Sequence, residues 1–327
     1  MKKLFKLNEV IKKISAGERL ILAADENLLD KLPKGSWIGG TIPYFMGENG
    51  GEHSKDKLFV DAVPSDSTNI SIKVYNDTTL PGIASDEFDN GYSMIIIPAS
   101  SKIHISFAEN SNNYENIFNS PLVGWISGVD LADLGKVKPK VYNGLTGEKF
   151  EDCAVVMHIE LPPNKVPTLD IINLFDQSSD DVITFDSTGF SVSHCFINGE
   201  KQSLASYLKN KNVDTKLPLV ANYCGAMINT SFQLVDQEND KVHFYAPVFE
   251  GLEYKIAKPV SDYVKEFTSL ASALDKKPVF TCNCILNYLY SELEGKKTGS
   301  LTGPMTFGEI AYQLLNQTLV YLTVNDV

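Results

Sequence analysis

Residues 299–309 read GSLTGPMTFGE, and residues 35–48 read GSWIGGTIPYFMGE. Both open Gly-Ser, place a glycine three residues after that serine, and close on Gly-Glu after several apolar and small residues. Glycine allows positive φ and close approach of one backbone to another. Two more stretches share the character: PLVGWISGVD at 121–130 and LPLVANYCGAMIN at 217–229. Each is an apolar or small-residue strand running into glycines. Taken together they predict an internal pseudo-repeat whose related turns line one interface.

Outward from these segments, LILAAD (20–25), SMIIIPA (93–99), CAVVMHIEL (153–161), VFTC (279–282) and TLVYLTV (318–324) read as strands. Short apolar runs bounded by turn residues are the mark of buried strands. Leu4, Leu7, Val10, Ile11 and Ile14 follow helical spacing, with Gly17 as the stop. Helices are also predicted over 104–118, 167–175, 203–211 behind Ser203 as N-cap, and 259–274 behind a proline, with another after VFTC stopping at Gly295. Hairpins are frequent and strict βαβ alternation is missing. That favours an α+β fold, with mixed or antiparallel sheets flanked by helices. QSSDD (177–181) and LKNKNVDTK (208–216) are the candidate boundaries between two related halves.

The chain of 327 residues carries a formal charge of −12. Nucleic-acid binding rests on Lys and Arg neutralising phosphates, so this balance excludes it as a partner. No apolar run approaches the ~20 residues a membrane helix needs, so no membrane partner is expected. Arg19 is the only arginine among 29 Lys plus Arg. An anionic ligand would then fall to lysine, backbone N–H groups or helix ends, since bidentate recognition usually uses arginine. The five cysteines, Cys153, Cys195, Cys224, Cys282 and Cys284, are odd in number and unevenly spaced, which predicts reduced thiols and a cytoplasmic location.

Cys282 and Cys284 flank a predicted strand-to-helix step. A thiol at a helix N-terminus can have a lowered pKa and face a ligand; the plainer reading is a small buried hydrophobe. A lone Cys-x-Cys is not a zinc site, and no metal or cofactor is expected. Thr306 and Glu309 fit a capping box, Thr at N-cap and Glu at N3, opening a helix through YQLL. Trp37 and Trp125 each sit inside a glycine segment; with Tyr44 and Tyr223 they wall a pocket, or else pack in the core. Asn222 and Asn229 offer amides to a ligand or to turn backbone. Alternation places His158 on one sheet face with Asp152 and Glu160, where a carboxylate beside a histidine could do acid–base work; the plainer reading is a solvated sheet face. No GxSxG, P-loop or HExxH motif is present.

VFTC (279–282), GPMTFGEI (303–310) and NQTLVYL (316–322), in that order, resemble the C-terminal domain of the FIST (F-box and intracellular signal transduction) proteins. KGSWIGGTIPYFMGE (34–48) looks like the Gly-rich turn of their N-terminal domain, and CFINGEKQSLASYLK (195–209) is similar to the opening of the C-terminal one. The chain departs at Cys282, which is followed by Asn283 and Cys284 where the family has Gly-Arg. The resemblance implies an N-like domain over 1–180, a C-like domain over 181–327, and a sensory role in which a small polar metabolite, such as an amino acid, sits between the halves. Trp37, Gly39, Gly40, Trp125, Asn222, Tyr223, Cys282, Cys284, Thr306 and Glu309 are then the candidate ligand contacts. With no output module recognisable in the chain, a separate signalling protein would be the partner. The resemblance does not imply an enzyme. Two other readings stay open: an enzyme with Cys282 or Cys284 as nucleophile, and an interaction protein whose glycines are purely architectural.

Overall fold

LILAA forms the strand Leu20–Ala24 and WIGGT the strand Trp37–Thr41, parallel to it and reached through the short helix Glu26–Leu29. Both strands are buried along their whole length, which explains why they read as unbroken apolar or small-residue runs. The computed structural model describes residues 2–223, 225–274 and 276–326, and in it this unit occurs three times. The second copy joins Gly91–Pro98 to Leu122–Ser127 through the helix Lys102–Asn110. The third joins Phe280–Cys284 to Gly303–Thr306 through the helix Ile285–Tyr290.

Each parallel pair lies at the centre of a six-stranded sheet, and the three sheets have one plan. The first strand of the pair is flanked by an antiparallel strand, respectively Leu58–Ala62, Ala154–Glu160 and Leu319–Asp326. Beyond it comes an outer strand: Leu4–Phe5, Asn69–Tyr75 and Lys165–Ile172. The second strand of each pair is flanked by a hairpin that belongs to another copy. Tyr44–Gly47 and Gly50–His53 follow the first copy and complete the third sheet. Val141–Asn143 and Glu148–Phe150 follow the second and complete the first. Glu309–Ala311 and Gln313–Leu315 follow the third and complete the second. The exchange closes a ring.

The class is α+β, with mixed and antiparallel sheets. The repeat is threefold, where the sequence reading counted two halves meeting near residue 180. Strands from both sides of that position share the second and third sheets. The inner faces of all three sheets meet in one core containing Ile38, Phe59, Met94, Trp125, Met157, Phe45, Cys282, Met305 and Leu322. Full burial of such side chains contributes roughly 1.5–3 kcal/mol each. Helices cover the outer faces. Leu7–Ser15 lays Val10 and Ile14 on the first sheet, Lys102–Asn110 lays Ile103 and Phe107 on the second, and Tyr263–Ser272 packs Tyr263 and Phe267 against the third.

Three of the four glycine segments are the second strands of the parallel pairs at the points where they cross to the next sheet. Gly128 N–H donates to the Thr41 carbonyl at 2.7 Å, and Phe307 N–H to that of Ile126 at 3.1 Å. A Cβ on Gly40 would stand 2.7 Å from Ile96 Cγ2, so the side chains of Ile96, Trp125 and Ser127 close over this backbone only because Gly40 has no side chain. The fourth segment belongs elsewhere. Residues 178–257 form an inserted module with its own core around Ile183, Phe185, Cys195, Leu204 and Tyr254. The chain enters and leaves it side by side: Ser178 N–H donates to Ile256 O at 3.0 Å, and Lys258 N–H to Asp176 O at 2.9 Å. Cys224 lies outside the described residues.

Two predicted helices are strands. Residues 167–175 fall largely in Lys165–Ile172, an edge strand that tolerates Pro167 because one side of its ladder is unpaired. Residues 306–315 form the hairpin that crosses to the second sheet. The helix expected over 104–118 is Lys102–Asn110, capped by Ser101 Oγ on His104 N–H at 3.1 Å, and that expected over 259–274 is Tyr263–Ser272, capped by Asp262.

Candidate functional site

The hollow expected among the glycine turns is filled. Trp125, Cys282, Cys284, Thr306 and Glu309 are all buried in or beside the common core. Trp37 is also buried, but on the outer face of the first sheet, where its Nε1–H donates to Pro33 O at 2.9 Å and it stacks on Tyr142. The two tryptophans therefore line no common pocket. Gly39 faces Trp37 and Leu29 on that outer side, while Gly40 faces Trp125 and Ser127. Asn222 is exposed on the module, its Oδ1 accepting from Gly225 N–H at 2.8 Å; Tyr223 beside it is half-buried.

The thiols are not poised for chemistry. Burial pushes Cys282 and Cys284 well above the ordinary thiol range, with the Glu309 carboxyl acting in the same direction. Cys282 Sγ donates to Gly124 O at 3.2 Å, and Cys284 is the N-cap residue of Ile285–Tyr290 without a side-chain cap bond. Both are small core residues at a strand-to-helix step, which removes them as nucleophile candidates. Glu309 does not cap a helix. Its Oε2 accepts from the Thr318 N–H at 3.1 Å and hydroxyl at 2.8 Å, while Oε1 is buried without a partner among the described residues. Burial raises its pKa to about 8, so the carboxyl is protonated at neutral pH. Thr306 Oγ1 donates to backbone carbonyls, with Gly308 O at 3.0 Å and Asn283 O at 3.3 Å.

His158 is likewise buried, because the turn Leu80–Asp86 covers that face of the second sheet. Tyr75 donates its hydroxyl proton to Asp86 Oδ2 at 2.7 Å, so His158 Nε2–H, 2.9 Å away, donates to the Tyr75 oxygen. His158 Nδ1 then accepts from Ser93 Oγ at 2.8 Å. Ser93 is buried, and the relay is a structural tie between three strands.

A cavity of about 340 Å³ lies between the three-sheet body and the inserted module. Its floor is the C-terminal end of the central strands, the usual place for a ligand in sheets with parallel crossovers. Ala99, Ser100 and His104 come from the step out of Gly91–Pro98; Ile285, Leu286 and Leu289 come from the helix after Phe280–Cys284. Phe307 and Leu131 come from two of the crossing segments; Phe190, Gln233, His243 and Tyr245 come from the module. Ile105, Leu134 and Leu289, on its walls, are 43%, 52% and 40% exposed although apolar.

Ser100 has φ +60°, and its N–H donates to His104 Nδ1 at 3.1 Å. That bond fixes the tautomer: the proton is on Nε2. Burial lowers the His104 pKa to about 4, so the ring is neutral. His104 is only 7% exposed, and its Nε2 has no hydrogen-bond partner among the described residues. In the first turn of the helix, Ile103 N–H donates to Asp152 Oδ1 at 3.1 Å and His104 N–H to Ser101 Oγ. A larger cavity of about 670 Å³ on the module is walled by Asp180, Asp181, Asp214 and Lys211. There Lys211 and Tyr207 already satisfy Asp181, at 3.3 and 3.1 Å.

Sequence reasoning did not single out Ser100, His104, Phe190 or Phe307. The available signal was Pro-Ala-Ser-Ser directly after the most apolar strand, with a histidine one turn into the following helix. Among the described residues no group of three or more His, Cys, Asp or Glu is placed to hold a metal ion, and no helix is long and apolar enough to cross a membrane. A family model described as a family of unknown function (DUF6976) matches residues 5–325. No curated protein and no solved structure matches the chain.

Proposed function

We propose that this chain, which belongs to the DUF6976 family, is a small-ligand-binding protein whose site is the cavity between the three-sheet body and the inserted module. One observation carries the reading: the exposed apolar side chains Ile105, Leu134 and Leu289 stand on the wall of one cavity with a few polar groups, among them Ser100, Gln233 and His243. The volume sits at the small end of the ~300–1,000 Å³ typical of ligand pockets. The inserted module supplies one wall and is joined to the body where the chain enters and leaves it and through bonds such as Asn229 to Asn316, so occupancy of the cavity bears on how the module sits. A sensory role with a separate output protein follows from the resemblance to FIST proteins and belongs to the same proposal.

The test is a thermal-shift screen of metabolites on the full chain, run beside Leu289→Trp, which fills the cavity mouth from an exposed position. Compounds that raise the melting temperature of the wild type and not of the variant support the site. A screen without shifts, or with shifts equal in both proteins, overturns it.

A further inference from the structure

Arg19, the only arginine in the chain, stands in the wall of a second cleft that shares no residue with the cavity beside the inserted module. We propose that this cleft is a carboxylate-binding site, in which the free edge of the Arg19 guanidinium grips the anion.

The backbone holds Arg19 from both sides. Gly17, at φ +79°, stops the helix Leu7–Ser15, and the strand Leu20–Ala24 begins directly after Arg19. Arg19 O accepts from Val63 N–H at 3.0 Å, which ties the residue to the end of the neighbouring strand Leu58–Ala62. The chain then turns through Ser65 and Asp66, with Ser67 N–H donating to Pro64 O at 3.0 Å. That turn brings the buried Ser67 against the guanidinium. Arg19 Nη1 donates to Ser67 O at 3.0 Å and to Ser67 Oγ at 2.9 Å.

Both Nη1 protons are thereby spent on uncharged acceptors. The guanidinium is a rigid planar fork of donors, so the protons on Nε and Nη2 remain. Those two nitrogens have no hydrogen-bond partner among the described residues, and neither is enclosed. They form an edge that pairs with a carboxylate through two parallel hydrogen bonds. The carboxylates nearby are engaged elsewhere: Glu18 pairs with Lys13 at 2.9 Å and Asp66 with Lys165 at 3.3 Å. Arg19 itself forms no ion pair among the described residues, so its charge lacks a counter-ion beside an open cleft of about 370 Å³.

The rest of the wall sets the class of ligand. Ala62, Val63 and Pro64 give it an apolar side, and Ser65 and Ser67 are its uncharged polar groups. Glu18 also lines it and, although paired with Lys13, repels a second negative charge. A monocarboxylate with a short apolar body therefore suits the cleft better than a dianion such as sulfate. The site is independent of the function proposed above, and its test is separate.

A single arginine is its own reporter, because the proton–nitrogen correlation spectrum of the full chain contains one Arg Nε–H signal. The titrants are propanoate, its neutral isostere propanamide, and sulfate. They are added at constant ionic strength and mildly acidic pH, where propanoate is ionised and the Nε–H proton exchanges slowly. Propanoate is expected to move the signal along a saturable curve, about tenfold more tightly than propanamide, the worth of a hydrogen bond to a charged group. It should also bind more tightly than sulfate. Arg19→Lys keeps the charge and loses the fork; read through the Ser65 and Ser67 amide signals, it should bind propanoate about tenfold more weakly. Ser67→Ala releases Nη1 from one acceptor and should weaken propanoate about threefold while leaving propanamide unchanged. The wild-type titrations stand even if a variant fails to fold. A linear response to propanoate, an equal response to propanamide, or undiminished binding by Arg19→Lys overturns the site. Sulfate binding as tightly as propanoate overturns the carboxylate class and leaves a general anion site.

Discussion

Gly128 lies flat against the ring of Phe307: a methyl group on its Cα would overlap that ring. The two residues come from different copies of the repeat, at the crossing where one strand leaves the second sheet and another leaves the third. Gly128→Ala should destabilise the protein by about 1–3 kcal/mol, the usual cost of overpacking. Gly82→Ala, where added atoms meet nothing within 4 Å, should stay within about 0.5 kcal/mol of wild type. Urea unfolding of both variants measures the contrast, and equal costs would mean that the crossing is not tightly packed.

Glu309 carries a pH signature. Its folded pKa of about 8 stands above the ordinary 4.5, so between those values the unfolded chain has released a proton that the native state still holds. Stability from this group is therefore lost as pH rises from about 4.5 to about 8, by at most ~1.4 kcal/mol per unit. Glu309→Gln keeps the shape and cannot ionise. The difference in unfolding free energy, variant minus wild type, should grow across that window and level off above it. A flat difference would mean that Glu309 ionises normally.

The histidines act in the opposite direction. Burial lowers both His104 and His158 from 6.5 to about 4. As pH falls through that interval the unfolded chain takes up protons that the native state refuses, and stability drops. His158→Gln should remove part of this acid sensitivity, and should itself cost about 1–3 kcal/mol at pH 7 by disturbing the Ser93 and Tyr75 bonds. Melting temperatures of wild type and variant from pH 4 to 7 provide the check. Parallel curves would exclude His158 as a source.

Thiol labelling distinguishes the binding reading from a cysteine nucleophile. Cys195, Cys282 and Cys284 are buried and free, whereas Cys153 is half-buried. Iodoacetamide on the native protein, followed by mass spectrometry, should modify Cys153 well before these three, and all of them together once urea unfolds the chain. Rapid native labelling of Cys282 or Cys284 would restore the enzyme reading.

Much of the local structure was legible in the sequence. The helix Leu7–Ser15, with Gly17 at φ +79° as its stop, follows directly from helical spacing. The central strands stand out because strands buried on both faces have no reason to alternate. The glycine echo between residues 35–48 and 299–309 pointed to a true relationship, and 121–130 to a third member. What local pattern could not supply was partnership. Glu309 pairs with Trp125 and Met46 with Gly303, across separations that leave no trace in spacing. Thr306 and Glu309 satisfied a capping-box pattern, but strand pairing across the core overrode it. The proposed site was hidden for the same reason, since its wall is assembled from seven separated stretches of chain, and His104 looks like any helical histidine until Ser100 fixes its proton.

The ring of exchanged hairpins leaves the body no seam along which one third of it can pivot. Each copy is stitched into both of its neighbours, so the body behaves mechanically as a single rigid frame. The piece between Ser178 and Lys258 stands outside that exchange, held where the chain enters and leaves it and by side-chain bonds such as Asn229 to Asn316 and Ser231 to Gln317. A response to an occupant is then expected there, as a shift of that piece against the frame, and labels placed on either side of the Asn229 and Asn316 contact are the way to record it.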